Sequence, residues 1–228
     1  MKYTVTTLLI FLPLFIFGQL NSHFLNVSYG FGKSNITKHT ILNDRYSSII
    51  ANSLKLAYQV GLAERLSSNL GIALEQRGGQ FNSLEREIIG ETTPIVFGDT
   101  ILRSNRNEFA YLTFSLKLNL KIYSDKKFKV LVGAGSYYSL LVKQLWVFDK
   151  SDIITLIEEN ILQFNYNAYD YGLNIDVGVD YSIFGNTLLF LNYSFQNGIN
   201  DIFENEGIRG FHLRNSIDVG VKFSLKRQ

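Results

Sequence analysis

The chain has 228 residues, 46% of them hydrophobic and 14% aromatic, with a formal charge of +2, 18 Gly and 2 Pro. That length suits one sizeable domain, and the near-neutral balance, with Lys and Arg scattered among acids, offers no phosphate-matching stripe for nucleic acid. The absence of Cys excludes a lipidated N-terminal cysteine, a thiol nucleophile and a disulfide scaffold.

The N-terminal stretch MKYTVTTLLIFLPLFIFGQ sets Lys2 before an apolar core from Val5 to Phe17, interrupted by Pro13 and followed by Gly18. A core of about 13 residues is shorter than the roughly 20 that cross a bilayer as a helix. Residues 1–18 therefore read as a cleaved secretory signal peptide, with cleavage near Gly18 or Gln19, and residues 19–228 as the mature domain. Beyond it no long apolar run recurs, so any membrane crossing is made by strands.

From there period-two alternation dominates and helical periodicity is nearly absent, which predicts an all-β chain of eight segments. The first, 23–32, puts Leu25, Val27, Tyr29 and Phe31 on one face. The second, 51–61, sets Leu54, Leu56, Tyr58 and Val60 against Ser53, Lys55, Ala57 and Gln59. The third, 69–79, alternates Leu70, Ile72 and Leu74 with Gly71, Ala73, Glu75 and Arg77. The fourth, 109–123, opposes Leu112, Phe114, Leu116, Leu118, Leu120 and Ile122 to Thr113, Ser115, Lys117, Asn119 and Lys121.

The fifth, 127–143, is apolar on both faces and leaves its phase open. The sixth, YDYGLNIDVGVDYSIF (169–184), alternates Tyr171, Leu173, Ile175, Val177 and Val179 with Asp170, Gly172, Asn174, Asp176, Gly178 and Asp180. The seventh, 187–198, turns Leu189, Leu191, Tyr193 and Phe195 away from Asn192, Ser194 and Gln196. The eighth, 215–225, sets Ile217, Val219, Val221, Phe223 and Leu225 against Asp218, Gly220, Lys222 and Ser224. Phe223 lies close to the end but is followed by SLKRQ, an imperfect version of the terminal aromatic signal of outer-membrane barrels.

Connections alternate in length. Short turns are expected at 63–68, 124–127 and 184–186, and long polar ones at roughly 33–48, 80–107, 144–166 and 199–212. An even strand number with short turns at one end and long loops at the other predicts an eight-stranded antiparallel up-and-down transmembrane β-barrel with both termini periplasmic. A soluble lipocalin-like barrel would alternate too, with its apolar face inward. Residue size separates the two: Asp, Gly, Asn, Ala and Ser suit the narrow interior of eight strands, and the large apolar residues suit lipid.

That orientation puts Lys55, Glu75, Arg77, Lys117, Lys121, Asp170, Asp176, Asp180, Asp218 and Lys222 in the lumen. Both signs in near balance within so narrow a bore predict pairing that plugs the barrel, in preference to an ion path. Interfacial aromatic belts are expected from Tyr123, Phe128, Tyr181 and Phe184 at the short-turn end, and from Trp146, Phe148, Phe164, Tyr166 and Tyr169 around the third long loop.

Four short patterns, in order, carry a family resemblance: IALEQRGGQF (72–81), YLTFSLKLNL (111–120), VLVGAGSYYSLL (130–141) and YDYGLNIDVGVDYSIF (169–184). With these the chain resembles the PorT-like outer-membrane β-barrel domain proteins of diderm bacteria over nearly its whole mature length. Ser115 and Asn192 stand where Pro and Arg are common in that family. The resemblance implies an eight-stranded barrel in the outer membrane without catalytic residues. One branch of the family belongs to the type IX secretion and gliding machinery.

The residues themselves supply no catalytic, cofactor-binding or metal site. His23, His39 and His212 lack metal-ligand spacing, and the glycine runs YGFG and GAGS lack the Lys and following helix of a phosphate loop. The one enzyme idea, a lipid hydrolase using His212 with a nearby Ser, has no G-x-S-x-G or comparable motif behind it. Within 150–165, Ile153, Ile157 and Ile161 at spacing four, with Leu156, could form a short amphipathic helix that docks a partner or caps the barrel mouth. The expectation is a non-enzymatic, monomeric outer-membrane barrel without cofactor. It would contact outer-membrane lipid and, through its outer loops, other envelope proteins.

Overall fold

The computed structural model describes residues 22–38, 46–89, 96–148, 166–184, 187–203 and 209–225. The expected signal segment, His39 and the Ile153–Ile161 stretch lie outside these residues. Nine strands follow in order: β1 (His23–Lys38), β2 (Tyr46–Ser47), β3 (Ile49–Gly61), β4 (Leu66–Ile89), β5 (Val96–Ser124), β6 (Phe128–Phe148), β7 (Tyr169–Phe184), β8 (Thr187–Gly198) and β9 (Gly210–Leu225).

Around the sheet the order is β4-β3-β1-β9-β8-β7-β6-β5, and pairing of β4 with β5 closes the ring. The two-residue β2 lies along β4, with Ser47 opposite Gln80, and continues β3 upward, so the nine strands make eight staves. Every pairing is antiparallel between consecutive staves, with β9 returning to β1, as in an up-and-down barrel. Closure leaves no stave with an unpaired edge at membrane depth, which lipid would not tolerate.

Side-chain alternation decides the orientation. On β7, Tyr171, Leu173, Ile175, Val177 and Val179 are exposed while Asp170, Asn174, Asp176 and Asp180 are buried. The same division holds on β1, β3, β4 and β9, where Tyr29, Leu54, Leu74 and Ile217 face out and Ser28, Ser53, Glu75 and Asp218 face in. A barrel that turned this continuous apolar band to water would expose far more apolar area than soluble proteins do. The lipocalin-like alternative is thereby excluded.

The fifth predicted segment acquires a phase: Gly133, Tyr137 and Ser139 are buried and Ala134, Ser136, Tyr138 and Leu140 exposed. Two register shifts against β5, between Ala110 and Tyr111 and between Lys121 and Tyr123, blur its pattern. Each bulge puts two successive side chains on the outside, Ile122 with Tyr123 and Val142 with Lys143.

The staves outrun the sequence-predicted segments. β4 and β5 stay paired up to Ile89 opposite Val96, so most of 80–107 is hairpin and not the loop expected there. β1 runs to Lys38, β6 to Phe148, and β9 starts at Gly210. The sequences of the hairpin arms, FNSLEREII and VFGDTILRSN, do not alternate, while the backbone ladder continues. At the root of the hairpin Gly78 has φ 148°, and a Cβ there would run into the Asn107 carbonyl. Its amide donates to Ser34 Oγ at 3.0 Å, tying β4 to β1 where the hairpin leaves the wall.

Candidate functional site

The lumen is filled in layers, and its central side chain is Glu75, which projects inward from β4 by the same alternation that sends Leu74 to lipid. Its Oε2 accepts from Arg77 Nη2 at 2.6 Å and from Thr113 Oγ1 at 3.2 Å. Its Oε1 accepts from Gln196 Nε2 at 3.3 Å and from Arg214 Nη1 at 3.5 Å, with Lys55 Nζ at 3.7 Å. One carboxylate thus joins side chains from β3, β4, β5, β8 and β9.

Arg77 extends the layer to the far wall. It pairs with Asp170 on β7, donates to Ser139 Oγ at 3.0 Å, and lies over the Tyr137 ring at 4.5 Å. Tyr137 in turn donates to Asp170 Oδ2 at 3.2 Å, and Arg214 Nη2 to Ser53 Oγ at 2.9 Å. Glu75, Arg77, Asp170 and Arg214 are each at most 3% exposed, and buried charge at that depth persists only when paired and hydrogen-bonded.

Toward the short-turn end the charges form discrete pairs: Lys55 with Asp218 at 2.8 Å, Lys117 with Asp176, and Lys222 with Asp180 at 2.7 Å. Lys222 also lies over the Phe190 ring at 5.0 Å. A partly open cavity of about 80 Å³, lined by Asn26, Asn69, Asn174 and these pairs, reaches up to the Glu75 layer. The acids Glu75, Asp170, Asp176, Asp180 and Asp218 match the bases Lys55, Arg77, Lys117, Arg214 and Lys222 in number.

On the other side an apolar cap closes the outer mouth. Ile36, Phe109, Tyr111, Ile202 and Phe203 pack together, with Leu141 and Tyr166 against them. The Phe109 and Tyr166 rings meet edge-on at 4.8 Å, and Tyr166 lies 5.3 Å from Phe203. Asp201 ties the end of β8 to the start of β9, its Oδ1 accepting from the amides of Phe203 at 3.1 Å and Gly210 at 2.9 Å.

Nine of the ten residues assigned to the lumen from sequence fall in this network. Lys121 does not: it faces the inner mouth and, among the described residues, makes no ion pair. Arg214 lies one residue before the predicted eighth segment, which starts at Asn215. The alternation continues backward through Ser216, Arg214 and His212, all buried, and that continuation was the available signal. The cap left no signal, because Ile202 and Phe203 sit in an aperiodic connection.

Tyr166, expected in the outer belt, turns inward to the cap, whereas Tyr169 is exposed as expected. Tyr123, Phe128 and Tyr181 are exposed at the inner end. The side chains of Trp146, Phe148 and Phe184, and Phe164 altogether, lie outside the described residues. His23 stacks on Tyr58, its Nδ1 2.6 Å from the Tyr58 hydroxyl. His212 is 1% exposed, wedged between Phe109 and Tyr111, with its Nε2 3.1 Å from the Tyr111 hydroxyl. It faces the lumen under the cap, away from lipid, and the hydroxyl beside it belongs to a phenol and not to a Ser nucleophile.

A closed eight-stave barrel, apolar toward the outside and filled with paired charge, is a transmembrane β-barrel of the bacterial outer-membrane class. The solved structure of OprG from Pseudomonas aeruginosa is similar, at 12% identity over 90% of this chain and 97% of that one, with a TM-score of 0.51. Neisserial surface protein A aligns at 9% identity over 88% and 96% of the two chains, with a TM-score of 0.48. A major outer membrane protein from Thermus thermophilus aligns at 14% identity over 90% and 100%, with a TM-score of 0.46. The last two fall too low to argue from, and the fold rests on the closed hydrogen-bonded ring and the likeness to OprG. No family model and no curated protein matches the chain.

Proposed function

We propose that the protein is a non-enzymatic, monomeric outer-membrane barrel whose role, structural or ligand-binding, is exerted outside the membrane through its β4–β5 hairpin and outer connections. The observation that carries this reading is the double closure of the lumen, by the Glu75-centred ion layer and by the apolar cap above it. A bore so filled is poorly suited to transport, while the hairpin continues to Ile89 and Val96, past Phe81 and Asn105, where its pairing with β2 and β6 ends among the described residues. Free strand edges and hairpin tips are common sites of partner recognition. The partners proposed are envelope proteins or a surface ligand. The alternative is a component of a type IX secretion or gliding assembly, the role of one branch of the PorT-like family, whose distinguishing residues this chain does not carry.

Two measurements test it together. In planar bilayers the purified protein is expected to give no discrete conductance steps. Shortening the hairpin by joining Phe81 to Asn105 through a two-residue turn is expected to leave folding, read by heat-modifiable migration on gels, intact and to abolish co-purification of envelope partners. Regular conductance steps from the unaltered protein, or partners unchanged after shortening, would overturn the proposal.

A further inference from the structure

Among the described residues, the pairing of inward-facing charge breaks down at the inner mouth, where the short turns lie. A pocket of about 90 Å³ there is lined by Arg65, Lys121, Lys129 and Lys222 against Glu64 and Asp180. Asp180 is already committed, its two oxygens lying 2.7 Å and 2.8 Å from Lys222 Nζ. Lys121 and Lys129 sit on the inward face of adjacent strands: Lys121 is opposite Leu131, and Lys129 opposite Asp180, both lining residues of the same pocket. Both lysines are half-buried, and among the described residues neither has a carboxylate within ion-pair distance. Lys55, Arg77, Lys117, Arg214 and Lys222, the other inward cations, each have one.

Like charges held together in a partly enclosed site repel one another more strongly than in bulk water, and an anion placed between them relieves that repulsion. Lysine ammoniums serve phosphate and carboxylate as mobile point charges. We propose that the inner mouth is a binding site for a small phosphate-type oxyanion, held by Lys121 and Lys129 with Arg65 at the rim. The oxyanion can be a free periplasmic solute or the headgroup phosphate of an inner-leaflet phospholipid. The site lies at the opposite end of the barrel from the hairpin, so its failure leaves the binding role proposed above untouched, and the reverse.

Inorganic phosphate is the probe. With the full barrel in zwitterionic detergent, at ionic strength held constant with chloride, phosphorus NMR is expected to show saturable line broadening. Lys121→Gln with Lys129→Gln is expected to weaken that binding at least tenfold. Lys126→Gln with Lys127→Gln, in the exposed turn nearby, leaves it unchanged. Heat-modifiable migration checks that each variant is folded. In phosphatidylcholine nanodiscs the phosphate signal persists. Its loss when phosphatidylglycerol is added marks the headgroup as occupant, and its persistence marks a free solute, the site being upheld in both cases. Absence of saturable broadening, or broadening that survives the Lys121 and Lys129 changes in a folded protein, overturns the proposal.

Discussion

Replacing Glu75 with alanine is expected to destabilise the folded barrel by about 3–5 kcal/mol, the usual cost of removing one partner from a buried ion cluster. The carboxylate is the shared acceptor of Arg77, Arg214, Thr113 and Gln196, and its loss leaves Arg214 with no carboxylate partner among the described residues and Arg77 with Asp170 alone. Glu75→Gln keeps the shape and part of the hydrogen bonding but not the charge, so its cost falls between that of alanine and zero. Denaturant unfolding in lipid vesicles, followed by the emission of the chain's one Trp, reads the difference. A substitution at the exposed Lys126 is the reference, expected within about 0.5 kcal/mol of the unaltered protein. Equal stability of the Glu75→Ala and Lys126 variants would mean that the lumen is open to water and the cluster is not desolvated.

The second large effect belongs to the opposite face. Val177 points outward midway along β7 and is 49% exposed, between Ile175 and Val179 on the same face. An arginine there would sit near the centre of the hydrocarbon, at a cost of roughly 2–4 kcal/mol, whereas the same change at Tyr181, close to the inner interface, would cost about 0–1 kcal/mol. The gradient with depth is the informative result. Equal tolerance at the two positions would be incompatible with a lipid-facing band.

These two residues also mark how much of the molecule can be read in one dimension. Alternation reports which face of a strand meets which environment, and that is a local property. The outward face of Val177 and the inward face of Asp176 can therefore be read from β7 alone. The same logic located Glu75, Arg77, Lys117 and Asp218 in the interior. It could not say that Arg77 reaches Asp170 three staves away, because the partner across a lumen depends on ring closure and stagger, to which no short stretch of sequence is sensitive. The outer half of the β4–β5 hairpin was missed for a related reason: FNSLEREII and VFGDTILRSN carry no period-two pattern, while their hydrogen-bond ladder continues. The cap was missed because Ile202 and Phe203 are fixed by Asp201 and not by any periodicity. The apolar stretch around Ile153 and Ile157, read as a docking or capping element, lies outside the described residues.

The central claim, a lipid-facing outer wall around a filled lumen, is tested most directly by site-directed spin labelling, for which a chain without Cys is ideal. Single cysteines at Leu173, Ile175, Val177 and Val179 sample the outside of β7, and those at Asn174, Asp176 and Ser194 sample the inside. In reconstituted vesicles the outward labels are expected to collide readily with dissolved oxygen and hardly at all with a water-soluble nickel chelate, and the inward labels with neither. Nickel access at the inward positions would show an open, hydrated lumen. Nickel access at the outward ones would show that the apolar face does not meet lipid, and either result would contradict the account.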